Sequence, residues 1–182
     1  MKLVIIAGGK GTRLGRIDIP KPMVQINEIP ILEYQVLLAK NFGLTEIYIL
    51  SGYKSECIID HFNDGSKWGV EIKHFVEDGP LGTAGSIKSI EKFLTQRFMV
   101  FYGDTIMDIN LQKMIEFDKQ NNPIATLLVH PNDHPYDSDI VCIDEFNSII
   151  EFIPKTDKRL IKPNLVNAAL YILSPEIFSF IN

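Results

Sequence analysis

Cysteine is scarce in this chain. Cys57 and Cys142 are the only two, they lie far apart, and neither belongs to a Cys-x-x-Cys pair. That excludes a disulfide framework and the usual zinc spacings, and it fits a reduced, cytoplasmic setting. Basic charge is also in deficit: 18 Lys and Arg against 23 Asp and Glu leave a net charge of −5. Such a balance argues against a general binder of nucleic acid or of anionic membranes. Long apolar runs are missing as well, since no stretch approaches the ~20 residues of a membrane span. The opening Met1–Ala7 is too short for the apolar part of a signal peptide, and it runs into glycines rather than a cleavage region. Internal repeats, low-complexity segments and linkers are absent.

What is present suffices for one core. With 182 residues, 46% of them hydrophobic, the expectation is a single domain over 1–182, because splitting it would leave two marginal cores. Leu3 to Ala7 reads as a strand covered on both faces. A loop follows from Gly8 to Met23, then a helix opened by Pro30 and closed by Gly43. Strands are expected at 47–50, 72–76, 98–101 and 125–129, with helices at 55–62, 86–93 and 111–119. This alternation predicts an α/β fold, a Rossmann-like and mostly parallel sheet with helices on both faces. Beyond Pro131 the pattern changes to strands at 140–143, 149–153 and 166–173 without helices between them, then a terminal helix over 175–181. The second half is therefore β-rich.

The densest chemistry lies in Gly8-Gly9-Lys10-Gly11-Thr12-Arg13-Leu14, followed by Pro20-Lys21-Pro22. A loop leaving a buried strand at the carboxyl edge of a parallel sheet is where α/β proteins bind ligands. Glycines let the backbone approach a phosphate and turn its N–H groups inward as an anion nest. Arg13 adds a planar fork for phosphate oxygens, and Lys21 a compact charge. A dinucleotide fingerprint would need a third glycine where Leu14 stands, and the G-x-x-x-x-G-K-[ST] run of a P-loop does not occur. A plain glycine turn would leave Thr12-Arg13-Leu14 and Pro20-Lys21-Pro22 without a reason.

G-G-x-G-T-R-L followed by P-K-P is similar to the signature of the sugar-1-phosphate nucleotidyltransferases. The similarity continues in order through Pro80-Leu81-Gly82-Thr83-Ala84-Gly85, Gly103-Asp104, Phe152-Ile153-Pro154-Lys155 and Asn167-Ala168-Ala169. The resemblance implies the nucleotide-diphospho-sugar transferase fold and a reaction between a nucleoside triphosphate and a sugar 1-phosphate, with Mg²⁺ as cofactor. It implies that Arg13 and Lys21 are catalytic, and that Gly8, Gly9, Gly11, Thr12, Pro80, Gly82, Thr83 and Gly103 bind the nucleotide. It further implies Asp104 as the metal ligand, and Lys155 and Asn167 as the contacts to the sugar phosphate. GTP stands slightly ahead of the other triphosphates on resemblance alone, and a homo-oligomer is among the assemblies it allows. Neither nucleic acid nor membrane is an expected partner.

Blander readings stand beside several of these. Asp104 could be a turn aspartate after a strand, Lys155 a solvated lysine, and Asn167 an asparagine satisfying its own backbone. His130 to Asp139 holds two histidines and three aspartates, but its prolines forbid helical ligand spacing and no tetrahedral set is evident. It reads as a loop near the sugar, with a transition-metal site as the minor alternative, and it resembles members close to the heptose 1-phosphate guanylyltransferases. Two departures from the family pattern stand out: Pro154 replaces a glutamate, and Ala169 replaces the glycine of Asn-Ala-Gly. Family members also continue past the terminal helix with a second metal-ligating aspartate, so a truncated chain is expected. A nucleotidyltransferase acting on a non-sugar phosphate, and a non-catalytic nucleotide-binding or regulatory protein, remain the alternatives.

Overall fold

The opening apolar run forms strand β1 (Lys2–Ala7), with Leu3, Val4 and Ile5 all fully buried. Burial of consecutive residues, which point to opposite sides of a strand, means that both faces of the sheet are covered here. The computed structural model describes residues 1–9, 19–133, 138–156 and 164–181. The chain divides into two compact units: Met1–Thr126 with Tyr171–Asn182, and Leu127–Leu170.

In the first unit, β1 lies between β4 (Glu46–Ser51) and β6 (Phe98–Tyr102), and β5 (Glu71–Val76) pairs with the far side of β4. All three pairings are parallel. The chain therefore moves from β1 outward through β4 to β5, then returns to the other side of β1 with β6. That reversal is a topological switch point, where the strand ends of an open α/β sheet leave a crevice.

Helices supply the crossovers. α1 (Ile31–Asn41) starts behind Pro30, which holds the N-cap position, and ends before Gly43 in a left-handed conformation. Its inward face comprises Leu32, Gln35, Val36 and Ala39. α2 covers Ser55–Phe62, and α4 (Leu111–Asn121) is capped by Asn110, whose side chain accepts from the Lys113 N–H. Val4, Tyr48, Leu50, Ile87, Phe98, Val100 and Phe178 share one apolar cluster.

Three local features differ from the sequence expectation, and the simplest is that the expected terminal helix over 175–181 is a 3-10 helix, Pro175–Phe180. α3 spans Gly82–Ser89, so the second glycine-rich stretch is itself the first turn of a helix, and the following Glu91–Phe93 is a separate 3-10 turn. Gly82 has φ +68, a value that lets the chain swing from loop into helix and that a Cβ would oppose. Inside the expected 8–23 loop and just after it, Lys21–Met23 forms a 3-10 turn, and β2 (Gln25–Ile26) and β3 (Ile29–Pro30) make a small hairpin. Asn27 and Glu28 both have positive φ, as a two-residue type I′ turn requires.

The second unit is built on antiparallel pairs. β8 (Ile140–Ile143) pairs with β9 (Ile149–Ile153) on one side and with β10 (Leu165–Leu173) on the other. β7 (Ala125–Pro131) also pairs with β10. Its small core gathers Ile140, Ile153 and Val166. Across the described residues no helix is long and apolar enough to cross a membrane.

Candidate functional site

The switch point brings the ends of β1 and β6 side by side. Gly8 and Gly9 follow β1, and Gly103-Asp104 follow β6. Gly103 donates its N–H to the Ile6 carbonyl at 2.8 Å. A Cβ built on Gly103 would meet Ile6 O at 3.1 Å, Ala7 Cβ at 3.2 Å and Pro22 Cγ at 3.3 Å. Gly103 thus holds the β6 exit against the β1 exit and against the Pro-Lys-Pro segment, a packing demand that explains a glycine there.

That close approach places Lys21 beside Asp104, with Lys21 Nζ 3.4 Å from Asp104 Oδ2 and both side chains partly exposed. The two residues are 83 positions apart in the chain, and each belongs to a different expected motif. In water such a pair contributes little to stability. Its interest is chemical: a mobile cation and an anionic oxygen donor share one rim.

The loop carrying Asp104 is braced from below by a residue that the sequence reading missed. Gln35, almost fully buried on α1, donates through Nε2 to Tyr102 O at 2.7 Å, Thr105 O at 2.6 Å and Thr105 Oγ1 at 3.2 Å. Thr105 adds its own hydroxyl bond to Tyr102 O at 2.8 Å. One side-chain amide therefore spans the two carbonyls that flank Gly103-Asp104. The available signal was a polar residue on the apolar stripe of an amphipathic helix, which has to find buried partners.

The second glycine-rich stretch is tied to the same strand end. Thr83 Oγ1 lies 3.1 Å from the Tyr102 hydroxyl, which joins the first turn of α3 to the end of β6. Pro80 precedes that turn and is exposed. On the other side of β1, Gly8 packs against Gly52 after β4 and against Glu77 after β5. A Cβ on Gly8 would stand 3.3 Å from Glu77 Oε2 and 3.7 Å from Gly52 N.

Gly11, Thr12 and Arg13 lie outside the described residues. Lys155 and Asn167 belong to the second unit. The Lys155 N–H donates to Asp139 Oδ1 at 3.0 Å. Asn167 Oδ1 accepts from the Ala169 N–H at 3.0 Å, and Ala169 has φ +57. The asparagine thus uses its carbonyl oxygen to support a left-handed turn within β10, and the family pattern's glycine at the third position matches that backbone. In the histidine-bearing stretch, His130 Nδ1 lies 2.8 Å from Pro131 O, and residues 134–137 fall outside the described set. Among the described residues, no three His, Cys, Asp or Glu side chains gather as a metal cluster.

A switch-point crevice rimmed by a glycine turn, a lysine–aspartate pair and a glycine-led helix is the architecture of the nucleotide-diphospho-sugar transferases. Comparison with known proteins agrees. A protein-family model described as nucleotidyl transferase matches residues 2–182, and the chain belongs to that family. It is 38% identical over 182 residues to a D-glycero-alpha-D-manno-heptose 1-phosphate guanylyltransferase of Campylobacter jejuni, covering 98% of this chain and 78% of the relative. It is 30% identical to a UTP–glucose-1-phosphate uridylyltransferase of Synechocystis, covering all of this chain but only 51% of that protein. Among solved structures, HddC from Yersinia pseudotuberculosis complexed with GMP-PN superimposes with a TM-score of 0.80 at 30% identity, over 97% of this chain and 78% of that one.

Proposed function

We propose that the chain transfers a nucleotidyl group from a nucleoside triphosphate to a sugar 1-phosphate, with GTP preferred. A phosphate oxygen of the sugar attacks the α-phosphorus, a new P–O bond forms, and the bond to the leaving pyrophosphate breaks. Such transfers ask a protein mainly for positioning and charge neutralisation. The observation that carries the reading is the meeting of Lys21 and Asp104 at the β1/β6 switch point, beside the glycine turn at Gly8 and Gly9.

In this reading the backbone from Gly8 through Thr12, with Arg13, holds the triphosphate, while Pro80, Gly82 and Thr83 border the nucleoside. Lys21 sits against the reacting phosphates. Asp104 is the residue that would hold Mg²⁺, and a single partly exposed carboxylate suits an ion that takes few protein ligands and completes its shell with phosphate oxygens and water. When bound, the ion supplies charge neutralisation at those oxygens. Binding at Asp104 would free Lys21 from its carboxylate partner to engage phosphate. Lys155 and Asn167 are assigned to the sugar phosphate in the second unit, and the enzyme is assigned to the cytoplasm. Guanylyl transfer is favoured by the names of the heptose relative and of the GMP-PN complex, although a uridylyltransferase lies within the same range of similarity.

A thermal-shift screen against GTP, CTP, UTP, ATP and dTTP, with and without Mg²⁺, tests this. A triphosphate present at 100 times its dissociation constant stabilises the folded state by about 2.7 kcal/mol. The reading expects GTP to give the largest shift; no shift with any triphosphate would refute it.

A further inference from the structure

The lysine–aspartate pair joins two segments that are remote in the chain, and a single helix holds both. At its start, α1 is tied to the segment that carries Lys21. The Ile31 N–H donates to the Val24 carbonyl at 2.9 Å, and the Val24 N–H donates to the Lys21 carbonyl at 3.0 Å. The Tyr34 hydroxyl adds a bond to the Ile26 carbonyl in the β2–β3 hairpin at 2.9 Å. One turn beyond Ile31, Gln35 grips the other half of the pair through the Tyr102 and Thr105 carbonyls on either side of Gly103-Asp104. α1 is therefore the common frame in which Lys21 Nζ and Asp104 Oδ2 stand 3.4 Å apart.

The composition of the helix face shows what Gln35 contributes. Its neighbours on that face, Leu32, Val36 and Ala39, are apolar and fully buried. Gln35 is 1% exposed, and its Oε1 has no hydrogen-bond partner among the described residues. A buried carbonyl oxygen without a donor costs free energy that a leucine or methionine there would not incur. What the glutamine adds is the pair of hydrogens on Nε2, and every acceptor of that nitrogen belongs to Tyr102 or Thr105. Magnesium demands closely defined ligand positions, and the groups behind a ligand are what fix it.

We infer that Gln35 is a positioning residue for the metal site. By clamping the turn around Asp104 to the helix that also anchors the Lys21 segment, it sets the affinity of the Asp104 carboxylate for Mg²⁺. This rests on the nucleotidyltransferase reading above and deepens it, because it assigns metal affinity to a side chain that touches neither metal nor substrate.

The test compares wild type with Gln35→Met, which keeps the length and removes both donors, and with Arg97→Ala, which is destabilised at the opposite end of β6. Pyrophosphate release is followed over a Mg²⁺ titration, with saturating GTP and the sugar 1-phosphate that wild type turns over fastest. GTP binding without Mg²⁺ is measured by calorimetry. Gln35→Met should need roughly 10- to 100-fold more Mg²⁺ for half-maximal rate, the usual loss when a ligand's supporting partner is removed. Its rate at saturating Mg²⁺ and its metal-free GTP affinity should both stay within about threefold of wild type. Arg97→Ala should lower the melting temperature without moving the Mg²⁺ midpoint, because a smaller folded fraction scales the rate alike at every Mg²⁺ concentration. A midpoint in folded Gln35→Met within about threefold of wild type overturns the inference, and so does an equal shift in Arg97→Ala. Metal-free GTP affinity that falls as far as the metal affinity also overturns it, since the whole site is then disturbed. Absence of pyrophosphate from wild type at every Mg²⁺ concentration overturns the nucleotidyltransferase reading itself, and the inference with it. If Gln35→Met does not fold, as judged by its melting curve, Gln35→Asn decides: its amide is one methylene short of spanning both carbonyls, so its midpoint must rise as well.

Discussion

At the scale of single residues, the site depends on a few side chains with unequal jobs. Asp104→Asn keeps the size of the side chain and removes its charge, so turnover that depends on Mg²⁺ should fall sharply while the melting temperature stays close to wild type. A pyrophosphate-release assay over a Mg²⁺ titration checks this, and unchanged activity would remove Asp104 from the metal role. Gln35→Leu should act differently. It strips donors from Tyr102 O and Thr105 O, so about 1–3 kcal/mol of stability should be lost, read by urea denaturation. Ala169→Gly goes the other way. The φ of +57 at Ala169 strains an L-residue by about 1–2 kcal/mol, part of which glycine's greater backbone entropy cancels. A gain of about 0.5–1 kcal/mol is expected, and a loss would mean that the methyl packs usefully.

At the scale of elements, the expected strands and helices of the first unit were legible because buried parallel strands announce themselves as short apolar runs between turn residues. β1, β4, α2 and β6 fall within a residue or so of the expected spans. The β2–β3 hairpin was not legible. Two-residue strands carry no periodicity, and Asn27-Glu28 is a weak type I′ signal beside Asn-Gly. The early start of α3 was hidden for a related reason: Gly82, Thr83 and Gly85 are poor helix formers, and only the surrounding fold holds them helical. A polar network at the end of α4 was missed as well. Arg97 makes two bonds to Asp118, 2.7 Å through Nε and 2.6 Å through an η nitrogen, and Asp118 also accepts from Thr126 at 2.7 Å. Asp118 is fully buried, whereas the Arg97 side chain keeps 24% exposure. Arg97→Ala leaves that carboxylate without its cation and should cost about 3 kcal/mol, nearer the lower bound for a buried pair because Arg97 is partly solvated. Thermal denaturation would show it, and a shift of less than a degree would mean that water replaces the guanidinium.

At the scale of the molecule, order of motifs was more informative than any one of them. A lone Gly-Asp pair is an ordinary turn; at the end of β6, next to the β1 exit and Lys21, it belongs to a site. The sequence placed the glycine turn, Lys21 and Asp104 in separate segments, and the switch point explains why they meet. It marked Gln35 only as a polar residue on the apolar stripe of α1, since the carbonyls that satisfy it lie 67 and 70 positions further along the chain. Packing also gave Gly103 a reason that the motif alone did not contain.

The central claim is nucleotidyl transfer to a sugar 1-phosphate, and a pyrophosphate-release assay tests it most directly. The chain is incubated with Mg²⁺, GTP and a panel of sugar 1-phosphates that includes heptose, mannose and glucose forms. The account predicts pyrophosphate only when triphosphate and a sugar 1-phosphate are both present, with Asp104→Asn strongly reduced. GTP bound tightly, yet no pyrophosphate with any sugar 1-phosphate, would contradict it and leave a nucleotide-binding protein of the same fold.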